Sequence, residues 1–289
     1  AFDLPIQGIL HTQSPHYYRE AQEGETEDQF TTRLANSLSD LIEEEGPETI
    51  AAFIAEPVLG AGGVIVPPDG YYEKIQAVLE RHGVLFIDDE VICGFGRTGN
   101  PFGCQTMGIK PTTMSVAKAL SSAYLPISAV IVPDSMYQPF VEASSELGNF
   151  AHGFTYSGHP VCAAVALRNL ELIEERQVFA HAAKMGEIFQ SRLNQYGEHP
   201  LVGNTRGAGL IGAVELVANR ETGQKFDGSH AVGAFCMDRC LEHGLIVRAL
   251  GDTIAFCPPL VIDDMQIDEL FGKFEQALAD TLAYANTLD

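Results

Sequence analysis

Apolar residues recur at helical spacing from Phe30 through Leu34, Leu38 and Leu41 to Ile42, and the run Glu43-Glu44-Glu45-Gly46-Pro47 ends the pattern. Spacings of three and four put those side chains on one stripe of a helix, and a glycine followed by a proline cannot continue it. A short, mostly apolar stretch from Ile50 to Ala55 predicts a buried strand. The stretch Gly60 to Gly70 then leads into a second helix over 72–81, and Val84 to Ile87 predicts another buried strand. Ser128 to Val132 reads as a further strand, 161–175 as a helix with Pro160 in its first turn, and 178–196 as a helix after it. Short apolar strands alternating with helices predict a mostly parallel sheet covered by helices, with reactive groups gathered at the carboxyl ends of the strands.

Beyond Pro200 the pattern changes: 207–216 predicts one strand, 231–242 a helix, 245–247 and 253–256 two short strands, and 265–284 a closing helix. The expected fold class is therefore α/β, with a large domain of mostly parallel sheet over 1–175 and a smaller C-terminal α+β domain over 176–289.

Composition narrows the function classes. Of 289 residues, 46% are hydrophobic, ample for a core. There are 39 acidic and 17 basic residues, a net charge of -22, so the surface repels nucleic acid and anionic membranes and neither is an expected partner. Cys93, Cys104, Cys162, Cys236, Cys240 and Cys257 form no C-x-x-C pair, and the histidines are not clustered, so neither a metal site nor a disulfide framework is expected. Reduced thiols fit a cytoplasmic protein. No apolar run approaches the roughly 18 to 20 residues of a membrane span, and the chain opens with no basic, then apolar leader.

Candidate chemistry starts at Lys118, which sits in Thr112-Thr113-Met114-Ser115-Val116-Ala117-Lys118-Ala119-Leu120 with almost no charge around it. An apolar setting lowers the pKa of a lysine and makes its amine a nucleophile able to form a Schiff base. Upstream, the strand Val84 to Ile87 runs into Asp88-Asp89-Glu90. A cofactor aldehyde is the natural partner of such an amine. Pyridoxal 5'-phosphate (PLP) works as an electron sink while its ring nitrogen stays protonated, which requires a carboxylate on a rigid element; Asp89 is the candidate. Glu56 also follows a strand. On these residues alone, a surface lysine and a solvated strand cap are the favoured reading. Gly60 to Gly63 matches neither G-x-x-x-x-G-K-[ST] nor G-x-G-x-x-G, so a nucleotide loop is not indicated.

The surrounding text decides between these readings. Asp89-Glu90-Val91-Ile92-Cys93-Gly94-Phe95-Gly96-Arg97-Thr98-Gly99, then Lys118, then Gly153-Phe154-Thr155-Tyr156-Ser157-Gly158-His159-Pro160 resembles a class III (omega) aminotransferase of PLP fold type I. The likeness runs from Phe2-Asp3-Leu4-Pro5 through Ile50 to Pro57 and Gly60 to Ile65 as far as Pro258-Pro259-Leu260. Within the class, Phe154 to Pro160 and Arg248-Ala249-Leu250-Gly251-Asp252 are most similar to amine and omega-amino-acid transaminases that use pyruvate.

The resemblance implies roles. Lys118 would carry the cofactor and move a proton, and Asp89 would pair with the pyridinium nitrogen. Val91, two positions along the same strand, would pack on the ring. Thr155, with Phe154 before it, would contact the cofactor phosphate of a neighbouring subunit, which implies a homodimer with a shared active site. Arg248 would grip the carboxylate of an amino or 2-oxo acid, while Arg97 would be structural. Ala255 stands where relatives acting on alpha-carboxylates carry an arginine, which favours an amine donor. The implied substrates are a primary amine or omega-amino acid and pyruvate or a similar 2-oxo acid.

Members of this family carry a segment before Asp89 with a Gly-Ser phosphate loop at a helix N-terminus, and no such loop precedes Asp89 here. The expectation is an N-terminally truncated chain with an incomplete large domain and weak PLP binding on its own. Other class III chemistry (racemase, decarboxylase, aminomutase) and a non-catalytic fragment are the alternatives.

Overall fold

The computed structural model describes residues 6–288, so the Phe2 to Pro5 start of the resemblance lies outside the described residues. After one helical turn, α1 (Tyr17–Glu20), the stripe that begins at Phe30 forms α2 (Glu27–Glu45). A reciprocal cap fixes its start: the Thr26 hydroxyl accepts the Gln29 N–H, and the Gln29 side chain accepts the Thr26 N–H. Its apolar face packs Phe30, Leu34, Leu38 and Ile42 against Tyr72, Ile75 and Leu79 of α3 (Tyr71–His82). Each such side chain, fully buried, contributes about 1.5–3 kcal/mol.

Four strands make the first sheet, in the order β1 (Ala52–Ala55), β2 (Leu85–Asp89), β3 (Thr113–Val116), β4 (Ala129–Ile131). The first three are parallel, with Ala55 beside Asp88 and Asp89 beside Ser115; β4 is antiparallel at the edge. Between β2 and β3 lies a short helix, α4 (Gly103–Met107), and after β4 come α5 (Asp134–Leu147), α6 (Pro160–Glu175) and α7 (Val178–Asn194). The second sheet is wholly antiparallel, in the order β5 (Val202–Ala208), β6 (Ile211–Leu216), β8 (Thr253–Phe256), β7 (Arg248–Leu250). Helices α8 (Val232–Glu242) and α9 (Asp264–Ala285) complete this half, with Phe189, Phe256, Phe271 and Phe274 in its core. The α/β class with a mostly parallel sheet and a smaller α+β part is as expected, the second sheet proving antiparallel, and no helix among the described residues is long and apolar enough to cross a membrane.

Local departures have local causes. Residues 207–216 form a hairpin rather than one strand, because the chain reverses at Gly209 (φ +58°), where a Cβ would sit 2.5 Å from the Thr98 carbonyl carbon. The expected 245–247 strand begins at Arg248 instead, since the Leu245 N–H is used to close α8 on the Cys240 carbonyl (2.8 Å). Strand β2 ends at Asp89, so Val91 lies in the following turn rather than on the strand: the Asp89 carboxylate accepts the Val91 N–H (3.1 Å). No apolar stripe announced α5, which has no buried residue and contains Pro139.

Buried charge links the two halves. Glu215 on β6 accepts from Arg206 (2.6 Å) and Arg19 (2.5 Å), and Arg206 also donates from Nε and Nη2 to the Gly63 carbonyl (3.0 and 2.8 Å). Burial pushes the Glu215 carboxyl up, yet the two arginines together hold it below its ordinary value. Removing one member strands the others in low dielectric. Glu215→Ala should therefore cost about 3–5 kcal/mol, read as a lower urea midpoint, whereas the exposed pair Arg168–Glu171 should contribute under about 1 kcal/mol.

Candidate active site

Parallel register brings three ionisable groups to one edge of the sheet. Glu56 follows the last residue of β1, Asp89 ends β2, and Lys118 comes just after β3. Asp89 lies beside Ser115, whose hydroxyl donates to Asp89 Oδ1 at 3.2 Å, so two donors fix this carboxylate at the strand end. Burial raises the pKa of Glu56; the Gly60 N–H (2.9 Å) works against that, Asp89 adds to it and Lys118 opposes it. Glu56 thus lies within Coulombic reach of both partners.

Lys118 opens a tight loop with φ +42°, and Ser122 (φ +47°) and Ala123 (φ +60°) are left-handed as well. Three non-glycine residues in that region mark stored backbone strain. Asn169 of α6 holds the loop: its Nδ2 donates to the Ala119 and Leu120 carbonyls (2.8 and 3.1 Å), and its Oδ1 accepts from the Ser122 hydroxyl (2.7 Å). Asn169 was not singled out in the sequence. The available signal was a lone amide on the inward face of α6, between Ala166 and Ile173.

Lys118 is exposed at the mouth of a cleft of about 740 Å³, which it lines together with Arg248, Arg97, Asn169 and the Gly60 turn. Arg97 staples the floor: its Nη1 donates to the Leu210 and Pro258 carbonyls (2.8 and 2.6 Å). Asp89 and Glu56 line a smaller neighbouring cleft beside Pro15 and Tyr72. The structure therefore gathers Lys118, Asp89 and Glu56 at adjacent strand ends and sets Arg248 in the Lys118 cleft. Phe154 and Thr155 are not in that cleft; they lie in an exposed turn, with Phe154 78% accessible. Val91 is half-buried and lines neither cleft.

A parallel sheet with chemistry at its carboxyl edge, joined to an antiparallel α+β half, is the architecture of PLP fold type I aminotransferases. The family model "Aminotransferase class-III" matches residues 5–278, and the chain belongs to that family. Among curated proteins it is similar to gamma aminobutyrate transaminase 3, chloroplastic, of Solanum lycopersicum (50% identity, covering 97% of this chain and 54% of that protein). Vanillin aminotransferase of Capsicum frutescens is 47% identical, over 97% of this chain and 61% of that protein. Among solved structures, the omega transaminase of Pseudomonas jessenii in complex with PMP superposes with a TM-score of 0.96 at 50% identity, covering 99% of this chain and 63% of that one. A transaminase solved with L-ala gives a TM-score of 0.95 at 54% identity, covering 98% and 67%. The chain spans about half the length of the first of these curated relatives.

Asn169→Leu would leave three loop groups without their partner. At about 1 kcal/mol per net hydrogen bond, it should lower stability by about 1–3 kcal/mol in urea unfolding. It should also speed amide hydrogen exchange at Ser121 and Ala123, whose N–H groups close the loop on the Lys118 carbonyl.

Proposed function

We propose that this chain carries the catalytic half of a PLP-dependent transaminase that moves an amino group from a primary amine or omega-amino acid to pyruvate or a similar 2-oxo acid. The observation that carries it is the pairing of Lys118 and Asp89 at the carboxyl ends of neighbouring parallel strands. An amine on a strained loop beside a carboxylate held by two donors is the donor set that the pyridine ring and aldehyde of PLP require, so these residues fit the group. When bound, PLP supplies an electron sink that accepts the pair left at a substrate carbon. Lys118 would hold the cofactor and then shuttle the proton at the reacting carbon. Asp89 would keep the ring nitrogen protonated, and Val91 in the next turn would pack on the ring. Arg248 would hold a substrate carboxylate bidentately and swing aside for an uncharged amine.

The names of the relatives support the substrate class. Gamma-aminobutyrate is an omega-amino acid, vanillin is a carbonyl compound, and L-alanine is the aminated form of pyruvate. Six free cysteines favour a reducing, cytoplasmic setting, although the names of two relatives carry chloroplastic and mitochondrial. We place the division of labour at 175/176, where α6 gives way to α7.

A homodimer with a shared site accounts for Phe154 and Thr155. Phe154, just before Thr155, ends an exposed aromatic run in which the Phe140 and Phe150 rings lie 4.7 Å apart and the His152 ring lies 5.8 Å from those of Phe150 and Phe154; Val130 and Ile131 on the edge strand β4 are exposed as well. Soluble proteins rarely leave an edge strand and such a patch uncovered. A second copy would bury it and carry Thr155 to the partner's cofactor phosphate.

Adding PLP to the chain should produce visible absorbance that Lys118→Ala abolishes. Amino transfer to pyruvate, run with several donors, distinguishes this reaction from racemase, decarboxylase or aminomutase chemistry. If PLP leaves the spectrum unchanged, the non-catalytic reading holds for this chain. Where turnover is seen, Arg248→Leu should raise KM for carboxylate substrates about 10–100-fold, the equivalent of one charge-assisted contact of about 1.5–3 kcal/mol. KM for an uncharged amine should stay nearly unchanged.

A further inference from the structure

Directly behind Asp89, the same strand carries a carboxyl that the proposed reaction does not use. Asp88 is 0% exposed, and neither of its oxygens has a hydrogen-bond partner at ordinary geometry; the Cys104 thiol faces it as a weak donor that only partly offsets the rise in its pKa. Glu90, also 0% exposed, accepts the Gly103 and Cys104 N–H groups on its two oxygens (2.9 and 2.7 Å). Ligand atoms of Asp88, Glu90 and Cys104 lie within 4.8 Å of one another. Two bare carboxylates at that separation, in low dielectric and with no cation among the groups that face them, would repel strongly. The titratable neighbours of Asp88 are Glu90 and Asp89 on its own strand end, Cys104 on α4, Tyr72 on α3 and Cys93 in the turn after β2; none is basic.

We propose that Asp88 and Glu90 act as one buried acid pair sharing a single proton, which makes Asp88 a positioning residue for Asp89. Glu90 keeps the role of acceptor, because its two amide partners favour the carboxylate form. Asp88 carries the proton and directs it at Glu90. The pair then holds a charge of one rather than two. Through Glu90 it ties the turn after β2 to the start of α4, and that turn supplies the Val91 N–H that orients Asp89. Only this last consequence rests on reading Asp89 as the cofactor's partner; the pair itself does not.

The pH dependence follows from the geometry. Burial first, and Glu90 second, raise the Asp88 carboxyl from 3.8 to about 8. A raised folded-state pKa means that folding takes up a proton above the unfolded value, so this contribution is whole below pH 3.8 and declines until the pH passes about 8. Above that it is level.

The test uses the chain without cofactor, so its outcome is independent of PLP binding. At pH 6 the native protein should show the infrared C=O band of a protonated, water-shielded carboxyl, and Asp88→Asn should remove that band. The urea midpoint of Asp88→Asn relative to native should rise between pH 4 and 8 and then stay constant. Amide protection at Gly103 and Cys104 should survive in Asp88→Asn, which keeps a donor facing Glu90, and fall in Asp88→Leu, which has none. Parallel pH profiles for native and Asn variant, a missing band, or a stoichiometric metal ion bound at the cluster would each overturn the proposal.

Discussion

The in-register parallel pairing of β1, β2 and β3 is the constraint on which the site depends. Strand direction alone decides that Glu56, Asp89 and Lys118 emerge on the same edge, and register decides that Asp89 meets Ser115. Slipping β3 by one residue would turn the Ser115 hydroxyl to the other face and take away one of the two donors that hold the Asp89 carboxylate. The backbone ladder therefore orients the side chains. Few exposed charges need to be positioned by their own contacts, which would contribute little in water.

Around that edge, polar groups are held by main-chain atoms more than by one another. Arg97 spends its guanidinium on two carbonyls, Arg206 on the Gly63 carbonyl and on Glu215, and Asn169 on the carbonyls of the Lys118 loop. Each ties a loop of the first sheet to an element outside it. Such bonds carry the desolvation penalty of every buried partner, so losing one costs more than forming one contributes. The strained φ angles at Lys118, Ser122 and Ala123 persist because this surrounding set over-determines the loop.

The exposed apolar residues of β4 and α5 show the same economy from the opposite side. An element whose apolar residues find no core within its own chain is stable only if something else covers it. The spacing of apolar residues could not distinguish such a surface from a poorly patterned helix, and Pro139 weakened the helical signal further.

Much of the fold was legible because periodicity reports which face of an element is buried. The stripe from Phe30 to Ile42, the strand before Asp88 and the closing helix near 265–284 all formed where the spacing put them. Lys118 and Asp89 could be singled out from local text, as an amine in an apolar run and an acid closing a strand, and the family motif gave them roles. Residues whose meaning is set by non-local partners were not readable. Gly209 splits a strand only because Thr98 passes behind it; Asn169 matters only because the Lys118 loop arrives at α6. Asp88 and Asp89 are the sharpest case: the sequence writes them as neighbouring acids. Only the fold, by alternating side chains across the sheet, seals the first where no solvent can stabilise its charge and sets the second at a cleft between donors.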